Sequence, residues 1–149
     1  MPVELERKFL VLDCDLSRLT GGVPIRQGYL CSEPVVRVRV RDREGSLTIK
    51  GPGLGRRLEF EYAIPLDHAQ ELLGLCGAVV EKTRYAIGRV ELDVFAGPLA
   101  GLVLAEVEGA PPDEPIAPPD GVTWIEVSGQ PGYENSNLAR HGAPGVAPS

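Results

Sequence analysis

The sequence predicts a mainly β fold, a sandwich or a closed barrel of about eight antiparallel strands with a few flanking helices. Runs near 2–11, 24–31, 34–42, 45–51, 56–64, 78–87, 88–96 and 101–109 alternate apolar and polar residues, the period of a strand with one buried face. Glycine and proline punctuate them, whereas helical periodicity is confined to two short segments.

The first strand contains Glu4-Leu5-Glu6-Arg7-Lys8. Residues two apart in a strand point the same way, so Glu4, Glu6 and Lys8 share one face and Val3, Leu5, Phe9 and Val11 the other. A helical turn follows Asp15 through Leu16 and Leu19. Glu44-Gly45 reads as a hairpin turn, and Gly51-Pro52-Gly53-Leu54-Gly55 as a looser connection. Asp67 is placed to cap a helix carrying Ala69, Leu72, Leu73 and Cys76 and ended by Gly77. Pro111 to Pro119 is a loop, and a ninth short strand follows near 122–127. Tyr133 to Arg140 reads as a short helix carrying Leu138 and Ala139. Residues 1–140 form one domain, and the glycine- and proline-rich end, 141–149, reads as a disordered tail.

The 149 residues can bury one core, and a net charge of -6 argues against non-specific binding to nucleic acid or an anionic membrane. No apolar run has membrane-spanning length, and the charged first strand leaves no room for a signal peptide. Cys14, Cys31 and Cys76 are odd in number and lack metal-ligand spacing. They predict small buried thiols of a reduced, cytoplasmic protein.

The charges follow strand parity. Arg37, Arg39 and Arg41 alternate with valines, Lys50 lies two after Thr48, and Arg57, Glu59 and Glu61 alternate with Leu58, Phe60 and Tyr62. Lys82 and Arg84 share a face, as do Arg89, Glu91 and Asp93, and Glu106 and Glu108. A solvated sheet face explains the alternation. It explains less well why signs segregate by strand, since an all-arginine face repels itself. The other reading turns these faces inward around a polar lumen. Burying the charges then requires pairing or a ligand. A polyanion with a divalent metal meets that need, because guanidinium and ammonium groups take phosphate oxygens and carboxylates take the metal.

The ordered motifs resemble those of the CYTH superfamily, the triphosphate tunnel metalloenzymes. Glu4-x-Glu6-x-Lys8 is similar to its ExExK signature. The likeness continues through Gln27-Gly28-Tyr29-Leu30, Val36-Arg37-Val38-Arg39, Leu47-Thr48-Ile49-Lys50-Gly51 and Arg57-Leu58-Glu59-Phe60-Glu61-Tyr62. It goes on through Lys82-Thr83-Arg84-Tyr85, Leu92-Asp93-Val94-Phe95, Gly101 to Glu108, and Asn135-Ser136-Asn137-Leu138-Ala139. The resemblance implies an eight-stranded antiparallel closed β-barrel, a tunnel binding triphosphate with Mg2+ or Mn2+. It implies that Glu4, Glu6, Glu106 and Glu108 hold metal, with Glu59, Glu61 and Asp93 assisting. Lys8, Arg37, Arg39, Lys50, Arg57, Lys82 and Arg84 would line the phosphate path. The chain departs from the family pattern at Gly109 to Asp113, where a helix usually precedes a Pro-x-Trp segment, and at Gln130 in Glu126-Val127-Ser128-Gly129-Gln130.

The short form is most similar to the inorganic triphosphatases, which implies hydrolysis of tripolyphosphate to diphosphate and phosphate. Class IV adenylate cyclase, thiamine triphosphatase and a non-catalytic polyphosphate-binding module are the alternatives. The expected partner is a triphosphate-containing small molecule, with neither nucleic acid nor membrane, acting on a monomer or homodimer. Lys8 and Tyr29 are the candidate catalytic pair. The short chain between them suggests neighbouring strands, and surrounding cations would lower the Lys8 pKa so that it could accept a proton. A metal-activated water is the other route. His68 and His141 read as solvated, and Gly51–Gly55 lacks the lysine and spacing of a P-loop.

Overall fold

The computed structural model describes residues 3–53 and 56–144, leaving aside the side chains of Val3 and Glu4. Its strands are β1 (Val3–Asp13), β2 (Val23–Ser32), β3 (Val35–Arg41), β4 (Glu44–Lys50), β5 (Arg56–Ile64), β6 (Val79–Ile87), β7 (Val90–Phe95), β8 (Val103–Glu108) and β9 (Thr123–Glu126). The helices are α1 (Leu66–Leu73) and α2 (Asn135–His141). No described helix is long and apolar enough to cross a membrane.

Eight strands close in the order β5-β4-β3-β2-β6-β7-β8-β1, with β1 returning to β5, and each described pairing is antiparallel. Strand β1 makes the closure. One of its edges pairs with β8 from Glu6 to Leu10. The other pairs first with β5 at Val3–Leu5 and then with β9 at Phe9–Asp13. The ninth strand therefore lies outside the barrel as an extension along the longest strand.

Apolar packing occurs at three places. On the outer surface of β1, β7 and β8, Phe9, Leu92, Ala105 and Val107 lie under Ile116 of the connection that leads into β9 and under Trp124 of β9 itself. Arg7 pins that cover: it pairs with Glu126 at 2.7 and 2.9 Å and donates to the carbonyls of Pro111 and Glu114. The proline-dense stretch thus does the work expected of a covering helix, by docking on an apolar sheet face. On the opposite outer surface, α1 packs Ala69 and Leu73 against Val38 and Val40. It sits so close that a Cβ on Gly45 would lie 2.7 Å from the Ala69 Cβ. The third cluster fills one end of the barrel, where Leu138 of α2 meets Val80, Phe95 and Leu104. That end is plugged with hydrocarbon, and the charged positions of the same strands lie beyond it.

Several sequence expectations shift by a few residues. The hairpin turn falls at Asp42-Arg43, where Asp42 adopts φ 54°, so Glu44 and Gly45 already belong to β4. Pro65, not Asp67, precedes α1, and the helix ends at Gly74 rather than Gly77. The turn expected after Asp15 forms at Leu16–Arg18, and Asp15 caps it by accepting from the Ser17 N–H at 3.1 Å. His141 completes α2 rather than opening a loose tail. Cys31 is exposed and Cys14 and Cys76 are half-buried, so none is the buried thiol expected. Of the Gly51–Gly55 connection and the tail, Leu54, Gly55 and residues 145–149 lie outside the described residues.

Leu138→Ala removes the hydrocarbon that seats α2, and we expect a loss of about 2–5 kcal/mol in urea unfolding. A loss under about 1 kcal/mol would show that the plug contributes little to stability.

Candidate functional site

The charged faces turn inward. They enclose a cavity of about 160 Å3 whose lining is almost wholly polar. From β1 come Glu6 and Lys8, from β2 Tyr29, from β3 Arg37 and Arg39, and from β4 Lys50. Arg57, Glu59 and Glu61 enter from β5, Lys82 and Arg84 from β6, and Glu106 and Glu108 from β8. Period-two alternation places these side chains together, because each strand of a closed barrel sends every second residue to the lumen. Asp93 is not part of the lining. It lies in the wall, fully buried, as the counter-charge to two lining cations. Glu4 stands opposite Arg57 in the β1–β5 register, and its side chain lies outside what is described. Arg89 does not belong to the lumen; it pairs on the surface with Glu114.

Buried cations on both the β6 and the β3 walls are incompletely neutralised: on β6, burial lowers the Lys82 pKa to about 8 although Asp93 and Glu106 oppose it. Asp93 holds Lys82 at 2.7 Å and takes Arg84 through two hydrogen bonds of 2.7 and 2.9 Å. Burial works against the Asp93 carboxylate, but Lys82 and Arg84 outweigh it and keep its pKa below the ordinary value. Glu106 is likewise buried and held well below the usual carboxylate range by Lys8, Lys82 and Arg84. On the β3 side, Arg39 hydrogen-bonds Gln27 at 2.8 Å, and burial followed by repulsion from Arg37 and Arg84 lowers its pKa to about 10. Arg37 reaches Thr48 through one terminal nitrogen at 3.2 Å, while its buried Nε has no hydrogen-bond partner. An unsatisfied donor on a buried cation costs stability unless an acceptor arrives.

Lys8 is surrounded differently from the sequence expectation. Its β1 neighbour is β8, which brings glutamates rather than cations. Burial opposes the ammonium, yet Glu106, Glu134 and Glu6 outweigh it and raise the pKa above that of an ordinary lysine. Nor are β1 and β2 adjacent, so Tyr29 faces the lumen from another part of the wall. The Tyr29 hydroxyl accepts from Gln27 at 3.0 Å, and burial pushes its pKa up despite Arg37, Arg39 and Lys8.

The start of α2 supplies residues that strand parity missed. Glu134 accepts from Lys8 at 2.9 Å and from Arg57 at 2.8 Å, and the Tyr133 carbonyl takes Lys8 as well. Asn135 Oδ1 accepts from Lys82 at 3.0 Å and Gln27 at 3.1 Å. The available signal was Leu138, whose apolar contact at the end of the barrel carries the preceding residues into the lumen.

Among the described residues, no group of three or more His, Cys, Asp or Glu is assembled as a ready metal cage. The donor set nevertheless fits a hard divalent cation. Glu6 and Glu108 are direct partners across β1 and β8, so two hard carboxylate donors stand side by side on the lumen wall. Magnesium needs only one or two carboxylates when phosphate oxygens and waters complete its shell.

A closed antiparallel barrel with a short cationic lumen and a carboxylate-bearing wall defines a tunnel for small polyanions. No family model matches the chain. An inorganic triphosphatase of Acetivibrio thermocellus is 42% identical over 95% of this chain and 96% of its own length. One of Nitrosomonas europaea is 38% identical over 91% and 96%. A solved structure of an inorganic triphosphatase superposes with a TM-score of 0.65 at 35% identity, covering 91% of this chain and 93% of that one. The chain belongs to the family of these inorganic triphosphatases, as its ordered motifs imply.

The depressed carboxylates set a pH dependence. Asp93 and Glu106 titrate lower when folded than unfolded, so their stabilisation is complete above the ordinary carboxylate range near pH 4 and is lost as pH falls through the depressed values. Melting temperature should therefore drop steadily below about pH 4. Asp93→Asn leaves Lys82 and Arg84 without their buried counter-charge, and denaturant unfolding at pH 7 should lose about 3–5 kcal/mol. A loss under about 1 kcal/mol would mean that the pair is not desolvated.

Proposed function

We propose that this protein hydrolyses inorganic tripolyphosphate to diphosphate and phosphate inside the barrel, with a divalent cation, Mg2+ or Mn2+. The observation that carries the reading is the buried Arg37–Arg39 pair, one with an unpartnered Nε and the other destabilised as a cation, on the wall of a small polar cavity. Such a wall is completed by an anion with several oxygens.

The chain's residues have separable tasks. Arg37 and Arg39, with Arg84 and Lys50, hold the phosphate oxygens and keep the substrate extended. Their fixed charges neutralise what develops on the transferred phosphoryl group and on the departing diphosphate. Lys82 contributes charge from a position fixed by Asp93. Lys8, held as an ammonium by its carboxylates, acts as a charge and hydrogen-bond donor rather than as a base. Tyr29, protonated and facing the lumen, orients a phosphate oxygen. Glu6, Glu106 and Glu108, with Glu4 on the same strand face as Glu6, would hold the cation, and Glu59 and Glu61 would face it from β5. When bound, the cation supplies neutralisation of phosphate oxygens and activation of the attacking water. Hydrolysis adds a water to a terminal phosphorus as the anhydride P–O bond breaks; the bridging oxygen leaves with the diphosphate, and the water's proton goes to a product phosphate oxygen or to solvent. The free thiols fit a reducing, cytoplasmic setting.

The decisive experiment offers tripolyphosphate, ATP, thiamine triphosphate and long-chain polyphosphate with magnesium or manganese and identifies the products. Tripolyphosphate should be the best substrate, and EDTA should abolish turnover until metal is restored. Undiminished turnover in chelator would defeat metal dependence, and cyclic nucleotide formation from ATP would replace the hydrolase reading. Arg39→Ala should weaken binding of tripolyphosphate by about 2–5 kcal/mol in calorimetric titration, the loss expected for a desolvated charge pair. Tyr29→Phe should leave the maximal rate within about twofold, and Lys8→Met should act mainly on KM. A collapse of the maximal rate in both would restore the Lys8–Tyr29 base.

A further inference from the structure

Gln27 is fully buried and lies outside the cavity lining, yet it bonds three residues that belong to that lining. It stands on β2 directly opposite Arg39 of β3. Its Oε1 accepts from Arg39 Nε at 2.8 Å. Its Nε2 donates to the Tyr29 hydroxyl at 3.0 Å and to Asn135 Oδ1 at 3.1 Å. Asn135 Oδ1 also accepts from Lys82 Nζ at 3.0 Å. The two linked amides are therefore closed at both ends by groups that can only donate, a guanidinium and an ammonium. Arg39 fixes which end of the Gln27 amide faces β3, and Lys82 fixes which atom of the Asn135 amide faces β6. With both amides set, the Tyr29 hydroxyl can only accept from Gln27. Its own proton is left for an acceptor in the lumen, which Tyr29 lines.

We infer that Gln27 is a positioning residue for anion binding: it anchors Arg39 by Nε and turns the Tyr29 O–H, so that both present donors to one ligand in the lumen. The inference rests on the tripolyphosphate reading above and deepens it. An unanchored guanidinium on a flexible stem loses its rotamer freedom only when the anion arrives, and that ordering weakens binding. An anchor through Nε orders the side chain beforehand and leaves the fork of terminal nitrogens for phosphate oxygens. Arg37, two residues away on the same strand, is held the other way round. A terminal nitrogen takes Thr48, and Nε has no partner. The two arginines thus offer different edges of the guanidinium to the lumen. Gln27 suits the task because it is neutral and has both an acceptor and donors. A carboxylate in its place would also anchor Arg39 but would draw the Tyr29 proton to itself. The bond to Asn135 extends the same network to the start of α2.

The test measures tripolyphosphate affinity by calorimetry on the whole chain, without added metal. Gln27→Met fills similar space without an amide and should weaken binding about tenfold, the equivalent of one charge-assisted contact. In an Arg39→Ala background the same substitution should cost less than about threefold, because the side chain it positions is gone. Equal losses in the two backgrounds would overturn the inference. Steady-state rates with magnesium should show a raised KM for Gln27→Met with kcat within about twofold of wild type. A collapsed kcat at unchanged KM would overturn it too. Gln27→Glu supplies a second arm should the methionine variant fail to fold. Its carboxylate keeps an acceptor for Arg39 but accepts from Tyr29 instead of donating to it. Tyr29→Phe should weaken binding about fivefold in the wild-type protein, the equivalent of one hydrogen bond, and less than about twofold alongside Gln27→Glu. The added charge cancels from that comparison, and a Tyr29→Phe loss of equal size in both backgrounds overturns the inference. Wild-type protein that binds tripolyphosphate without hydrolysing it counts against the proposed function, while both comparisons still decide the role of Gln27. Wild-type protein that does not bind tripolyphosphate overturns both.

Discussion

The arrangement depends on one constraint: cations inside the barrel must be paid for by fixed anions that never leave. Asp93 is the clearest case. It is sealed in the wall and grips Lys82 and Arg84 together. Even so, burial leaves Lys82 on β6 and Arg39 on β3 destabilised as cations, and the Arg37 Nε has no hydrogen-bond partner. A lumen balanced at every position would be more stable and would bind nothing.

A lumen of this kind requires hydrophobic stabilisation to come from elsewhere. A barrel of eight strands ordinarily fills its centre with side chains or holds one small ligand there. This one keeps apolar contact at one end, under Leu138, and moves the rest to its outer surface. The proline-dense connection and α1 each cover a sheet face from outside. Arg7 and Lys8 show how finely the sides are separated. They are adjacent in sequence and equally charged, yet one fastens the cover and the other enters the lumen.

Much of this was legible in the chain. Alternation located the eight barrel strands and assigned their charged faces, because period two survives whichever way a face points. The direction of those faces could not be read from alternation, since a wet sheet and a polar lumen leave the same pattern. The ordered motifs supplied it. Neighbourhood was less legible than face: the reading of Lys8 as ringed by cations failed because β1 pairs with the glutamates of β8 and not with β2. Glu134 was missed, and Asn135 was read only as part of a motif without a role, because both sit at a helix entrance, where strand parity has nothing to say. The turn at Asp42-Arg43 was displaced because Asp42 adopts a left-handed conformation that the Glu44-Gly45 pair seemed better suited to provide.

The chain has one tryptophan, and it stacks on Phe9 with ring centroids 4.1 Å apart and an interplanar angle of 17°. Phe9 follows Lys8 but points to the other side of β1, so the indole is separated from the lumen by the thickness of the sheet. Intrinsic fluorescence in this protein is consequently a gauge of whether the outer cover remains seated, and filling the lumen should leave it almost silent. An optical signal that tracks the cover alone lets loss of the fold be told apart from loss of ligand in a single titration.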